Sequence, residues 1–333
     1  MTIITTIPAL CLSAALPDEI SIGTQYSIIG IKIKVDNEVV WTTDLYSFQN
    51  VARLYDIRTV VETAIRANNN ASGVCCIVVN EDGTEASSTN FTVIMSDIKI
   101  PNVTSWLQSH FLTTVNAHRI CRNGKQILHW FAAQGESMTY KIIAKYKGQA
   151  AQTGEEVEYE ATWTQQSAGT VNAGIYNYTV DVGEIEQHFE QNIISFKVQR
   201  GANRTMEFFV IDDVPELQLS FLNNFNVAER ADLFIDSNKK TKMEASEATS
   251  LRNQVKFDFN VETEFQVETA PLPIDLAKWL TQLFTSRYVT KFMPDNTWIE
   301  ILIDGESEVT NKPNAENSIK FTYKYTKKVQ YLD

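Results

Sequence analysis

Apolar and polar positions alternate most regularly between Val255 and Thr269, in VKFDFNVETEFQVET. Val255, Phe257, Phe259, Val261, Phe265 and Val267 share one side of the alternation, and Thr263 interrupts the apolar series. A period of two sends successive side chains to opposite faces, so this run predicts a half-buried β-strand. The period then changes. In APLPIDLAKWLTQLFTS, the residues Leu276, Trp279, Leu280, Leu283 and Phe284 form the stripe of an amphipathic helix. Pro273 suits its first turn, and Asp275 is favoured there by the helix dipole. This predicts a helix over residues 274–286. Two more strand-like runs, WIEILI and SIKFTYKY, follow it.

The same style recurs earlier. SIIGIKIKVDNEVVWTTDLY reads as two alternating segments joined across Asp36-Asn37, and GVCCIVVNEDGTEASSTNFTVIM as two more joined across Asn80–Gly83. Between them, DIRTVVETAIRANNN predicts a helix over residues 56–68. Asp56 is its N-cap, Val60, Val61, Ala64 and Ile65 are its stripe, and the asparagines stop it. A proline-marked connection near residue 98 opens a second set of short strands. There Asn123-Gly124 predicts a hairpin turn. Tyr140, Ile142, Ala144 and Tyr146 share a face, as do Val157, Tyr159, Ala161 and Trp163. A third set begins near Val214, with strands flanking Asn223-Asn224 and a polar connection over KKTKMEASEA. The expected fold is mainly β: two or three β-sandwich-like modules, at residues 1–97, 98–212 and 213–333, with a few short helices.

Composition narrows function by exclusion. A chain of 333 residues with 44% hydrophobic positions can bury several cores without metal or disulfide staples. Only 13 glycines argue against phosphate-cradling loops. The net charge of −12, from 29 basic and 41 acidic residues, is spread along the chain. It disfavours sequence-specific nucleic-acid binding and anionic membranes, while leaving room for an acidic lumen that DNA slides past. TIPALCLSAALP lacks the basic flank of a signal peptide, and Pro8 interrupts it. No apolar run is long enough for a membrane span. Synthesis in the cytoplasm follows as the expectation.

The search for chemistry yields no catalytic, cofactor-binding or metal-ligating residues. Cys11, Cys75, Cys76 and Cys121 form neither a CxxC pair nor a disulfide framework; the adjacent Cys75 and Cys76, on opposite faces of a strand, read as small buried residues. His110, His118, His129 and His188 show no ligand spacing. GxSxG, P-loop and GxGxxG motifs are absent from the sequence. Glu155, Glu156, Glu158 and Glu160 cluster on an alternating strand, as do Glu262, Glu264 and Glu268, which describes solvent faces. Trp106, Trp130, Trp163 and Trp298 read as core anchors. No enzyme and no cofactor is expected.

Three stretches carry a resemblance: YDIRTVVETAI, then RNGKQILHWFAAQGESMTYKI, then VETAPLPIDLAKWLTQLFTSRYV with IEILIDGESEV and SIKFTYKY. Together they resemble proteins encoded by tailed phages and prophages of Bacteroides-type gut bacteria. The resemblance implies a virion structural protein of the tail, neck or baseplate-like apparatus. Such a repeated ring subunit would contact copies of itself and other virion proteins through two different complementary patches. Lys239, Lys240 and Lys242 are candidate docking residues. The alternatives are a receptor- or carbohydrate-binding tail-tip protein and a glycoside hydrolase.

Overall fold

The computed structural model describes residues 2–149, 155–201, 203–250, 253–305, 309–310 and 316–326; side chains at 2, 166–170 and 242–262 lie outside the description. It is mainly β, with 56% strand and 14% helix, as expected, and its curled sheets form half-barrels.

Eight strands make the first sheet, in the spatial order Thr2–Ile3, Glu19–Gly23, Val51–Tyr55, Glu38–Phe48, Ile28–Val35, Ser72–Glu81, Thr84–Ile94 and Leu10–Leu12. Strand Glu38–Phe48 turns the corner: most of it pairs with Ile28–Val35, while Ser47 and Phe48 pair with Ala52 and Val51. Asp36 and Asn37 both take positive φ (50° and 70°), which fits a tight turn to the twist of its strands. The second hairpin turns on Asp82-Gly83, where Gly83 has φ 79°, because its strands extend to Glu81 and from Thr84. Helix α1 (Ile57–Ala67) fills the hollow, burying Ile57, Val61 and Ile65 against Ile31, Ile33, Ile77 and Val79. Asp56 does occupy the N-cap position. However, it sits in the left-handed region and its side chain makes no capping bond.

Two layers follow. Five strands run in the order Glu156–Thr170, Ser137–Gln149, Ile193–Arg200, Arg204–Ile211 and Ala117–Cys121, and a ribbon of Lys125–Ala132 with Gly174–Asp181 shares their core. The hairpin predicted at Asn123-Gly124 does not form. The flanking strands do not pair with each other: Ala117–Cys121 lies parallel to Arg204–Ile211, and Lys125–Ala132 pairs with Gly174–Asp181. The turn hands the chain from one layer to the other. Its glycine is needed for space, since a Cβ at Gly124 would lie 2.8 Å from the Cys121 carbonyl and 2.9 Å from Asp232 Oδ2. Two short helices were not anticipated by sequence: α2 (Val103–Ser109) and α3 (Val182–Phe189).

The third sheet is antiparallel throughout, in the order Ala228–Leu233, Leu217–Leu222, Val289–Phe292, Trp298–Asp304, Lys320–Tyr325, Asn253–Thr269 and Ile235–Ser250. Helix α4 (Ile274–Leu280) continues as a 3₁₀ turn over Thr281–Phe284, so the α-helix ends earlier than its apolar stripe suggests. Ala277, Trp279, Leu280 and Leu283 bury the stripe on Leu219, Phe221 and Ile301. KKTKMEASEA is not a connection. It lies inside strand Ile235–Ser250, whose register with its partner runs from Ile235↔Thr269 to Ser250↔Asn253. Phe265 and Val267 are buried as the alternation implies; the faces of Val255, Phe257, Phe259 and Val261 lie outside the described residues.

Candidate functional site

Three parts of the chain meet at one apolar junction. Leu12 and Ile94 come from strands of the first sheet, Phe131 from the two-stranded ribbon, Leu107 from α2, and Leu112, Phe225 and Val227 from connections between elements. Trp106 on α2 stacks on Phe225 at 5.2 Å and on His110 at 5.0 Å. Polar bonds cross the same seam. The Asp97 N–H donates to the Asn224 carbonyl at 2.9 Å, and Asn226 Nδ2 to the Asn70 carbonyl at 2.9 Å. Asn223 Nδ2 donates to the Leu112 carbonyl at 2.7 Å, and Gln282 Nε2 to Thr114 Oγ1 at 2.6 Å. Gln126 clips Arg230 twice, donating to its carbonyl and accepting from its N–H. The Asn223 clip is fully buried, so breaking it would leave an unsatisfied group inside.

Glu229 lies at the heart of this seam, 4% exposed. Trp279 Nε1 donates to its carboxylate, and Thr113 and Asn223 also hydrogen-bond to it. Burial pushes the carboxyl up from its ordinary value to about 7, against the pull of these hydrogen bonds. His118 meets the Trp279 ring edge-on at 4.8 Å, and burial pushes its pKa down to about 4. A cavity of about 40 Å³ opens beside them, lined in part by His118, Leu233, Leu276 and Trp279. At the junction's Leu107 and Phe131, Arg204 is 3% exposed and acts as a second clamp. Its Nε donates to the Leu107 carbonyl at 2.8 Å, Nη2 to the Phe131 carbonyl at 2.9 Å, and Nη1 to Glu136 at 2.5 Å. Arg200, also on Glu136, lies 4.4 Å over the Trp130 ring.

Outside the junction, the sheets end in long, exposed strands. Strand Glu156–Thr170 borders the five-stranded sheet and carries exposed Glu156, Glu158 and Glu160. Ile235–Ser250 borders the seven-stranded sheet and is exposed from Asp236 to Thr241, Lys239 and Lys240 included. Its hairpin outruns the sheet, because Lys320–Tyr325 pairs with only Phe265–Glu268. A polar cleft of about 410 Å³ sits at the base of that hairpin, lined by residues that include Asp236, Asn238, Gln266, Glu268 and Lys320.

The residues singled out in the sequence disperse. Cys11, Cys75 and Cys121 are buried, Cys76 is half-buried, and all four are free thiols. Burial pushes Cys11 up to about 11 and Cys75 and Cys121 up to about 12, which suppresses the thiolate. His110 and His118 do not meet as a pair: one stacks on Trp106, the other packs on Phe208 and Trp279. His188 stacks on Trp163 at 4.0 Å. Among the described residues no group of three or more His, Cys, Asp or Glu could hold a metal ion. No helix among them is long and apolar enough to cross a membrane. Trp130 is a core anchor at 0% exposure, but Trp298 is not, being 37% exposed with Arg230 over its ring. The sequence signal for Glu229 is weak: it lies only in the strand face it shares with Ala231 and Leu233 in AERADL, which marks it for burial.

No protein-family model matches the chain, and no curated protein does. Among solved structures it is similar to the plexin A4 extracellular region, with 10% identity and a TM-score of 0.23 over 98% of this chain and 40% of that one. A second structure of the plexin A4 extracellular region gives 9% identity and a TM-score of 0.22, over 98% of this chain and 31% of that one. The chain therefore spans less than half the length of these structures, and a likeness this slight carries no argument about fold or function.

Proposed function

We propose that the chain is a non-enzymatic structural subunit of a tailed-phage virion, repeated in a ring or tail layer of the neck, hub or baseplate type. It would contact copies of itself and other virion proteins. One observation carries this reading: three parts of the chain are clamped at a common junction, and their sheets send long bordering strands outward. A clamped body resists distortion by its neighbours, and strand borders offer main-chain hydrogen bonds to them. The sequence resemblance to phage and prophage proteins points the same way. Quantitative mass spectrometry of purified particles tests the proposal. The expected result is a fixed multiple of copies per particle; absence from particles whose other tail proteins are all detected would refute it.

A second reading, a receptor- or carbohydrate-binding tail-tip protein, is favoured by a separate feature. Tyr46 and Phe48 are 78% and 76% exposed, on a strand where Tyr46 pairs with exposed Ile28. Exposed aromatic faces suit sugar rings or an apolar partner. Glycan-array binding by the full chain, lost on Tyr46→Ala with Phe48→Ala, would move the assignment to this reading.

A further inference from the structure

We propose that copies of this chain join head to tail through two sheet borders of opposite charge, the Glu156–Glu160 border of one copy against the Asp236–Thr241 border of the next. The inference rests on the structural-subunit reading and names its contact.

Both borders are exposed, and among the described residues no strand pairs with the outer side of either. Unpaired main-chain N–H and C=O groups along such a border are a template for another strand. Their charges select the partner. On the first border, Glu160 lies across from Lys145 and Glu158 across from Lys147 on the neighbouring strand. The second border repeats this in reverse at Lys240, across from Glu264, with Lys239 adding a second positive charge, while Asp236 at its start lies across from Glu268. Laid side by side, the two borders give rows of alternating sign, Lys145–Glu160 followed by Lys240–Glu264 of the next copy. Opposite charges directly opposed on adjacent strands attract, and like charges repel.

The same charges forbid the competing pairings. An acidic border repels a second acidic border, and Lys239 and Lys240 repel their own duplicates, so symmetrical dimers through one border are disfavoured. What remains is a pairing of unlike borders, which propagates from copy to copy. Charged residues on a border can also serve only to keep strands apart. The two explanations differ in outcome. A purely protective charge leaves the chain's association unchanged when its sign is reversed in a balanced way, whereas a selecting charge does not.

The test uses full-length chain in sedimentation velocity at low salt. Wild type is expected to form species larger than a monomer that dissociate as salt rises. Glu158→Lys with Glu160→Lys makes both borders basic, and Lys239→Glu with Lys240→Glu makes both acidic. Each variant alone is expected to lose assembly, and their equimolar mixture is expected to regain it. Glu160→Cys and Lys240→Cys chains are expected to cross-link with each other under mild oxidation. These positions are exposed, and circular dichroism of each variant checks that the fold is kept. A monomeric wild type, variants that assemble like wild type, or a mixture that stays monomeric would each overturn the inference. Assembly that ignores the reversals leaves the virion reading standing, whereas absence from particles removes that reading separately.

Discussion

Glu229→Gln probes the junction through a single proton. In the folded chain the Glu229 carboxyl titrates at about 7, against an ordinary value of 4.5, because burial penalises its charge. The folded state therefore holds this proton more tightly than the unfolded chain does. The stability it confers is complete below the ordinary value and is lost as pH rises through about 7. A shift of this size corresponds to about 3 kcal/mol. Glutamine keeps the shape and an oxygen to accept from Trp279, but it carries no charge to bury. The variant should thus match wild type at about pH 4, below the ordinary value, and exceed it by up to about 3 kcal/mol at about pH 9. Urea unfolding followed by tryptophan fluorescence at both pH values reads the difference. If the two proteins keep parallel pH profiles, Glu229 is not the buried acid described, and the account of the seam fails with it.

Three further outcomes follow from the same contacts. Arg204→Met removes three hydrogen bonds and strands the Leu107 and Phe131 carbonyls; it should destabilise by about 3–5 kcal/mol, and a loss in urea midpoint worth under about 1 kcal/mol would contradict the clamp. His118 and His129 titrate at about 4 because burial disfavours their charged forms, so the stability each confers is complete above about 6.5 and is lost as pH falls through about 4. A His118→Phe variant should show a shallower acid limb in the same urea assay, and an unchanged limb would count against its burial. In native protein a thiol reagent should label Cys76 readily, with Cys11, Cys75 and Cys121 reacting only after unfolding; rapid reaction of all four would contradict the packing.

Sequence made the regular parts legible where one face of an element is buried. Phe265 and Val267 alternate with polar neighbours because their strand has a core side and a solvent side, and Trp279, Leu280 and Leu283 recur because α4 lies on a sheet. Helices α2 and α3 were hidden by their length, since seven or eight residues hold about two turns and their place is set by contacts such as Leu107 in the junction. Asn123-Gly124 announced a turn correctly but not its consequence, because the partner of Ala117–Cys121 lies far along the chain at Arg204–Ile211. Lys239 and Lys240 read as loop residues because charge suggests solvent, yet a bordering strand also meets solvent. The junction itself was illegible. Its members are single residues from distant segments, and Glu229 shows its burial only through the parity it shares with Ala231 and Leu233.

The proposal that this chain is a repeated structural part of a virion can be read out by cryo-electron microscopy of particles carrying a labelled copy. The label is expected in a symmetric ring or tail layer, in density that accepts the clamped body with the Ile235–Thr269 hairpin reaching a neighbour. Label found nowhere in the particle, or only as an isolated copy without a symmetric neighbour, would contradict it.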